Sequence, residues 1–247
     1  MTKTWADGRR ELLFFLLLAV LPALAIAGLF QLDPWPTPMK QQADMLSGLP
    51  TAIYLALGAA GVAFGTWTLT RMTPRLSDGQ GWSLLAAVSL TAGAVYGLTD
   101  LGINRLTRWG AHLVAVDTRN GYNIAFVNVR PPWSLAHYFH ASIISECAFR
   151  LAAILIPAGL IGLALRRRYE ATTYWAFAVL AAMIEPLEKS VLLRKWALFG
   201  DTPMEQAMNA EAIAWQLIYA VLLRRFGWVA PILARFGYYL VVRCFHQ

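Results

Sequence analysis

Charge is what this chain has least of. Asp, Glu, Lys and Arg supply 14% of the 247 residues, where an ordinary soluble domain carries roughly 25%, and apolar residues supply 58%. That balance excludes a water-soluble globular fold and reads as an integral membrane protein. Cysteine is almost as scarce. Cys147 and Cys244 are the only two, which excludes a disulfide framework and any C-x-x-C redox or metal motif. His112, His137, His140 and His246 are too scattered to compose a metal cage, although His137 and His140 can share a helix face at their spacing of three. No metal and no cofactor is expected. Internal repeats, low-complexity tracts and a separating linker are also missing, so residues 1–247 read as a single integral membrane domain.

What is there is a series of apolar runs. A span needs about 20 mostly apolar residues, and runs of this kind lie at 12–30, 51–70, 82–103, 134–165, 173–193, 209–223 and 226–245. The expected fold class is therefore all-α, a polytopic transmembrane helical bundle of about seven spans. The fourth run is long and the sixth short, so tilted or broken helices are expected there. The first run offers an alternative: Arg9 and Arg10 precede it and Ala25-Ile26-Ala27 closes it, the small-x-small pattern of a cleaved signal peptide. An uncleaved first helix is the reading adopted, because further spans follow.

Orientation comes from the basic residues of short loops. Lys3, Arg9 and Arg10, then Arg71 and Arg75, then Arg166 to Arg168, then Arg224 and Arg225 all fall on one side if the N-terminus is cytoplasmic. The connection 104–133 is the exception, with Arg105, Arg108, Arg119 and Arg130 on the other side. The expected location is a bacterial cytoplasmic (inner) membrane. The net charge of +7 then reflects topology and contact with anionic lipid headgroups, and needs no nucleic acid. Within 104–133, β-rich runs at 112–117 and 122–129 flank Thr118-Arg119-Asn120-Gly121, and Asn-Gly between such runs predicts a small extracytoplasmic β-hairpin. The alternative is an irregular loop.

Against this apolar background the intramembrane charges stand out. Glu146 and Arg150 sit four apart inside the fourth run, so they meet on one helix face. An ionised side chain near the bilayer centre costs roughly 2.5 kcal/mol or more, and such residues face a partner or a wet cavity. The plainest reading is an internal ion pair that holds helices in register. Other polar residues have plain readings too: Asp100 as an interfacial carboxylate, Asn209 and Glu211 in the first turn of the sixth span, and Glu185 beside Pro186 at a kink.

Two blocks, Ile144-Ser145-Glu146-Cys147-Ala148-Phe149-Arg150 and Leu222-Leu223-Arg224-Arg225-Phe226-Gly227-Trp228-Val229-Ala230-Pro231-Ile232-Leu233-Ala234-Arg235-Phe236-Gly237-Tyr238-Tyr239, carry a likeness. In this order they resemble the CAAX prenyl protease and bacteriocin-processing (CPBP, or Abi) family of glutamic intramembrane endopeptidases. The N-terminal block is similar to that family's Glu-Glu-x-x-x-Arg. The C-terminal block is similar to its basic turn, Gly, Ala-Pro-Ile-Leu-Ala run and His-x-x-x-Asn. Between them Ile184-Glu185-Pro186-Leu187-Glu188 stands where the family has Phe-x-x-x-His. The likeness covers about 134–247.

What the resemblance implies is an intramembrane hydrolase whose polar cavity binds a hydrophobic peptide or a lipidated substrate. Its site candidates here are Glu146, Arg150, Glu188, Arg235 and Tyr239. The chain departs from the pattern at Ser145 for the first Glu, Glu188, or alternatively Glu185, for the first His, Arg235 for the second His and Tyr239 for the Asn. Serine is no carboxylate base, and arginine stays protonated and cannot exchange a proton as histidine does. Arg235 and Tyr239 can still donate hydrogen bonds to an oxyanion. The same substitutions suit a catalytically inactive pseudo-protease that scaffolds or binds a membrane partner. A third reading from the intramembrane charges is a transporter or ion pathway. Expected partners are membrane lipid and a membrane-protein or lipidated-peptide substrate, with no nucleic acid.

Overall fold

The computed structural model describes residues 5–31, 49–68, 81–107, 133–166, 168–192 and 202–245. Apart from short turns these are helical, and no strand occurs among the described residues. In chain order the elements are α1 (Trp5–Phe15), a π-helical segment π1 (Leu16–Val20), α2 (Leu21–Gln31), α3 (Leu49–Thr68), α4 (Trp82–Thr107), α5 (Trp133–Glu146), a second π-helical segment π2 (Cys147–Leu155), α6 (Ile156–Ala164), α7 (Glu170–Leu192), α8 (Pro203–Phe226) and α9 (Val229–Phe245). The hairpin expected at 112–129 lies outside the described residues.

Arg9–Gly28, Trp82–Ile103 and Leu135–Ala164 are each long and apolar enough to cross a bilayer, and shorter apolar helices cover Thr51–Gly65, Glu170–Ile184 and Val229–Val242. Large apolar side chains such as Leu13, Leu17, Leu84, Leu98 and Leu180 point outward, as a lipid-facing surface requires. The long fourth run is indeed broken in regularity: α5, π2 and α6 follow one another without a loop, with Pro157 in the first turn of α6. The sixth run is corrected. Its helix begins at Pro203 rather than at 209, so Asn209 and Glu211 lie beyond the first turn and cannot complement the helix start.

The core is built around π2. Phe15, Ala19 and Ala23 from the first helical stretch, Leu55 and Val62 from α3, Ile143 from α5, Leu151 and Ile154 from π2, Tyr174 and Ala178 from α7 and Tyr219 and Leu223 from α8 are buried together. The first stretch is therefore part of the packed core. Its Glu11 accepts a hydrogen bond from Trp228 Nε1 at 3.2 Å, and Phe15 meets the Trp228 ring edge-on at 5.1 Å. Removal of this stretch as a leader would strip Phe15, Ala19 and Ala23 from that core.

Two glycine faces set how closely the helices approach. On α3, Gly58, Gly61 and Gly65 lie against Cys147, Leu151 and Leu155 of π2, and a Cβ on Gly61 would collide with the Leu151 carbonyl. On α4, a Cβ on Gly93 would collide with the Ala234 carbonyl, while one on Gly237 of α9 would stand 2.8 Å from the Leu90 oxygen. Small residues spaced in this way let helix backbones touch where lipid supplies no hydrophobic drive for association. Between α8 and α9 the chain turns at Gly227, whose φ of 84° is left-handed and whose N–H donates to the Leu223 carbonyl at 3.0 Å. Glycine adopts that conformation without a Cβ penalty and so ends α8 sharply.

Gly93→Ala is expected to lower the thermal unfolding midpoint in detergent, by overpacking worth about 1–3 kcal/mol. Gly102→Ala is the control on the same helix, where an added Cβ meets nothing within 4 Å. It should be neutral or stabilising by up to about 1 kcal/mol.

Candidate functional site

Glu146, the last residue of α5, is completely buried. Immediately after it the backbone widens into π2, which carries Phe149 and Arg150. Wide π turns inside helices recur at functional sites. From α9, the glycine contacts described above bring in Arg235. Its Nε donates to Glu146 Oε1 at 2.6 Å. Arg150 Nε lies 3.2 Å from Oε2, but its N–H is not aligned on that oxygen, so this is a charge contact rather than a well-formed hydrogen bond. Arg150 Nη2 also approaches the backbone carbonyl of Gln216 in α8 at 3.5 Å. One carboxylate thus joins α5, π2 and α9, and the Arg150 guanidinium extends the cluster to α8.

Aromatic rings enclose the ion cluster. The Arg150 guanidinium lies 5.0 Å from the Tyr219 ring centre and 6.0 Å from that of Phe149; for Arg235 the distances are 5.4 and 5.9 Å. Cations desolvated against ring faces gain about 2 kcal/mol each, which offsets part of the cost of burial. Beyond Tyr219 the polar layer continues. Tyr96 of α4 is stacked on Trp215 at 4.7 Å and on Tyr238 at 4.4 Å, and it meets Tyr219 edge-on at 6.2 Å. Tyr238 donates to Asp100 at 2.8 Å, and Thr99 donates to Glu211 at 3.0 Å.

Of the residues singled out by sequence, Glu146, Arg150 and Arg235 are brought together. Tyr239 lies one turn beyond Arg235 on α9, where its ring stacks on Tyr138 at 5.0 Å. Glu185 and Glu188 fall within α7, but their side chains lie outside the described residues. Ser145 is half-buried beside Glu146. His137 and His140 are both buried on α5, and among the described residues no group of three His, Cys, Asp or Glu side chains gathers as a metal site would require. Asp100 accepts from Tyr238 and ties α4 to α9, while Glu211, which lies beyond the first turn of α8, accepts from Thr99 and ties α8 to α4.

The chain matches no family model, no curated protein and no solved structure. The site must therefore be read from its own geometry. That geometry includes two residues the sequence did not announce. Gln216 and Tyr219 are amphipathic residues on an apolar helix and resemble ordinary packing until the fold places them.

Chemically, the arrangement can do two things. It can hold three helices through a short-range ion cluster, and it presents guanidinium and phenol donors to any electron-rich oxygen brought among them. Breaking a buried ion pair by removing one partner costs about 3–5 kcal/mol. Glu146→Gln is accordingly expected to lower the thermal midpoint far more than Glu211→Gln, which removes a charge from a half-exposed hydroxyl contact worth about 1 kcal/mol. Equal losses in parallel melts of the two variants would contradict this ranking.

Proposed function

We propose that the chain is an intramembrane protein of the CAAX-protease-like (CPBP) type, which receives a hydrophobic peptide or a lipidated segment at the polar cluster around Glu146. What carries the reading is a single contact: Glu146 and Arg235, one from each of the two motif blocks and 89 positions apart, meet as an ion pair. A site assembled from both blocks is what the resemblance implies, and Arg150 joins it. Arg235 and the neighbouring phenols supply donors for a carbonyl oxygen, while Glu188 on α7 is the candidate base for hydrolysis. The proposed setting is a bacterial inner membrane, with seven spans, a cytoplasmic N-terminus and the 104–133 connection on the outer side.

A second reading is favoured by one observation. Each oxygen of Glu146 already faces a guanidinium, so its charge is engaged in holding helices together rather than set against a water. This suits a pseudo-protease that keeps the binding cavity and has lost cleavage.

The test uses a fluorescent farnesylated tetrapeptide and its quenched-fluorophore version with purified protein in nanodiscs. Saturable binding to wild type is expected, weakened in Arg235→Gln. Turnover that disappears in both Glu146→Gln and Glu188→Gln would establish hydrolysis, binding without turnover the pseudo-protease, and no saturable binding would remove the peptide-binding reading. Topology is checked separately: reporter fusions after Arg75 should be active on the cytoplasmic side and fusions within 104–133 on the opposite side.

A further inference from the structure

Tyr219 is the residue at this centre that neither the motif blocks nor the resemblance assigns. It projects from α8, is completely buried, and its hydroxyl has no hydrogen-bond partner among the described residues. Leaving a buried hydroxyl unpaired costs about 1–3 kcal/mol, so a phenol retained in an apolar core where phenylalanine would pack as well implies work for the oxygen. By contrast, the buried Tyr174 on the neighbouring helix donates to the Ala220 carbonyl at 2.6 Å. Among the described residues, Tyr219 differs from it in having no partner for its oxygen.

The surroundings decide what such an oxygen can bind. Both guanidiniums lie against its ring, at 5.0 and 5.4 Å from the ring centre, and both pair with Glu146. A hydroxyl can donate or accept, but a ligand N–H brought between two guanidiniums meets donors and positive charge from both sides. A ligand oxygen meets complementary charge.

We infer that the hydroxyl of Tyr219, whose ring lies against Arg150 and Arg235, is a hydrogen-bond donor to an acceptor oxygen, a carboxylate or an amide carbonyl, on an apolar ligand. This rests on the binding reading above and names the chemical group that is bound. Because Phe at 219 keeps the ring that faces both guanidiniums, Tyr219→Phe removes the donor and leaves the packing.

The experiment measures binding of three probes to protein in nanodiscs: pyrene-labelled dodecanoate, its N-methyl amide and pyrene-dodecane. Wild type and Tyr219→Phe are compared, with Tyr138→Phe as a further phenol-to-ring control. Wild type should bind at least one oxygen-bearing probe, and Tyr219→Phe should weaken that probe about tenfold while leaving pyrene-dodecane binding unchanged and the thermal midpoint no lower. Dodecanoate alone as the sensitive probe identifies a carboxylate ligand, and the amide alone a peptide carbonyl; both outcomes support the assignment. Equal affinities in wild type and Tyr219→Phe, or no preference of wild type for an oxygen-bearing probe over the hydrocarbon, would overturn it. Should the dodecanoyl probes behave as expected while the farnesylated tetrapeptide fails to bind, the donor role stands and the peptide reading falls.

Discussion

The contact on which the rest depends is a carboxylate held between two guanidiniums in an apolar interior. Moving each ion out of water costs several kcal/mol, and their attraction repays that only at short range and in good geometry. Glu146 meets Arg235 at 2.6 Å, a distance that tolerates little separation of α5 from α9. The glycine faces are the corresponding constraint on the backbone: α4 touches α9 through Gly93 and Gly237, and α3 touches π2 through Gly58, Gly61 and Gly65. A side chain at any of the tightest of these positions displaces a segment that carries an ion partner, π2 or α9, from the helix it packs on. Close backbone approach and the buried charge cluster are two parts of one requirement.

Around that centre the polar residues form a continuous layer rather than isolated sites. Tyr219 links the guanidiniums to Tyr96, Tyr96 is stacked on Trp215 and Tyr238, and Tyr238 reaches Asp100. Rings are suited to this role because they fill apolar volume while offering a face to cations and a hydroxyl edge to acceptors.

The sequence made some of this legible and hid the rest for physical reasons. Glu146 and Arg150 were visible because helix geometry alone brings positions four apart together. Arg235 was visible only through its motif block, since no local rule connects residues 89 apart. Tyr219 and Gln216 were not, because an amphipathic side chain on an apolar helix has the same pattern whether it packs or binds. The start of α8 was misread because the apolar run begins later than the helix: hydropathy marks burial in lipid, whereas helix formation needs no apolarity. The local signal was present in Thr202-Pro203, with Gln206 N–H donating to the Thr202 carbonyl at 3.0 Å, the pattern of a threonine cap followed by proline at the first helical position. The all-helical class followed directly from composition and run length.

The most direct test of the central claim is a charge exchange between the two helices. Glu146→Arg and Arg235→Glu, singly and together, are compared by thermal unfolding midpoint in the same detergent. In the exchanged protein a carboxylate at 235 again faces guanidiniums at 146 and 150. Each single change should be strongly destabilising, and the exchange should recover a large part of the loss. An exchanged protein no more stable than its weaker parent would contradict the claim that this ion pair holds α9 to α5.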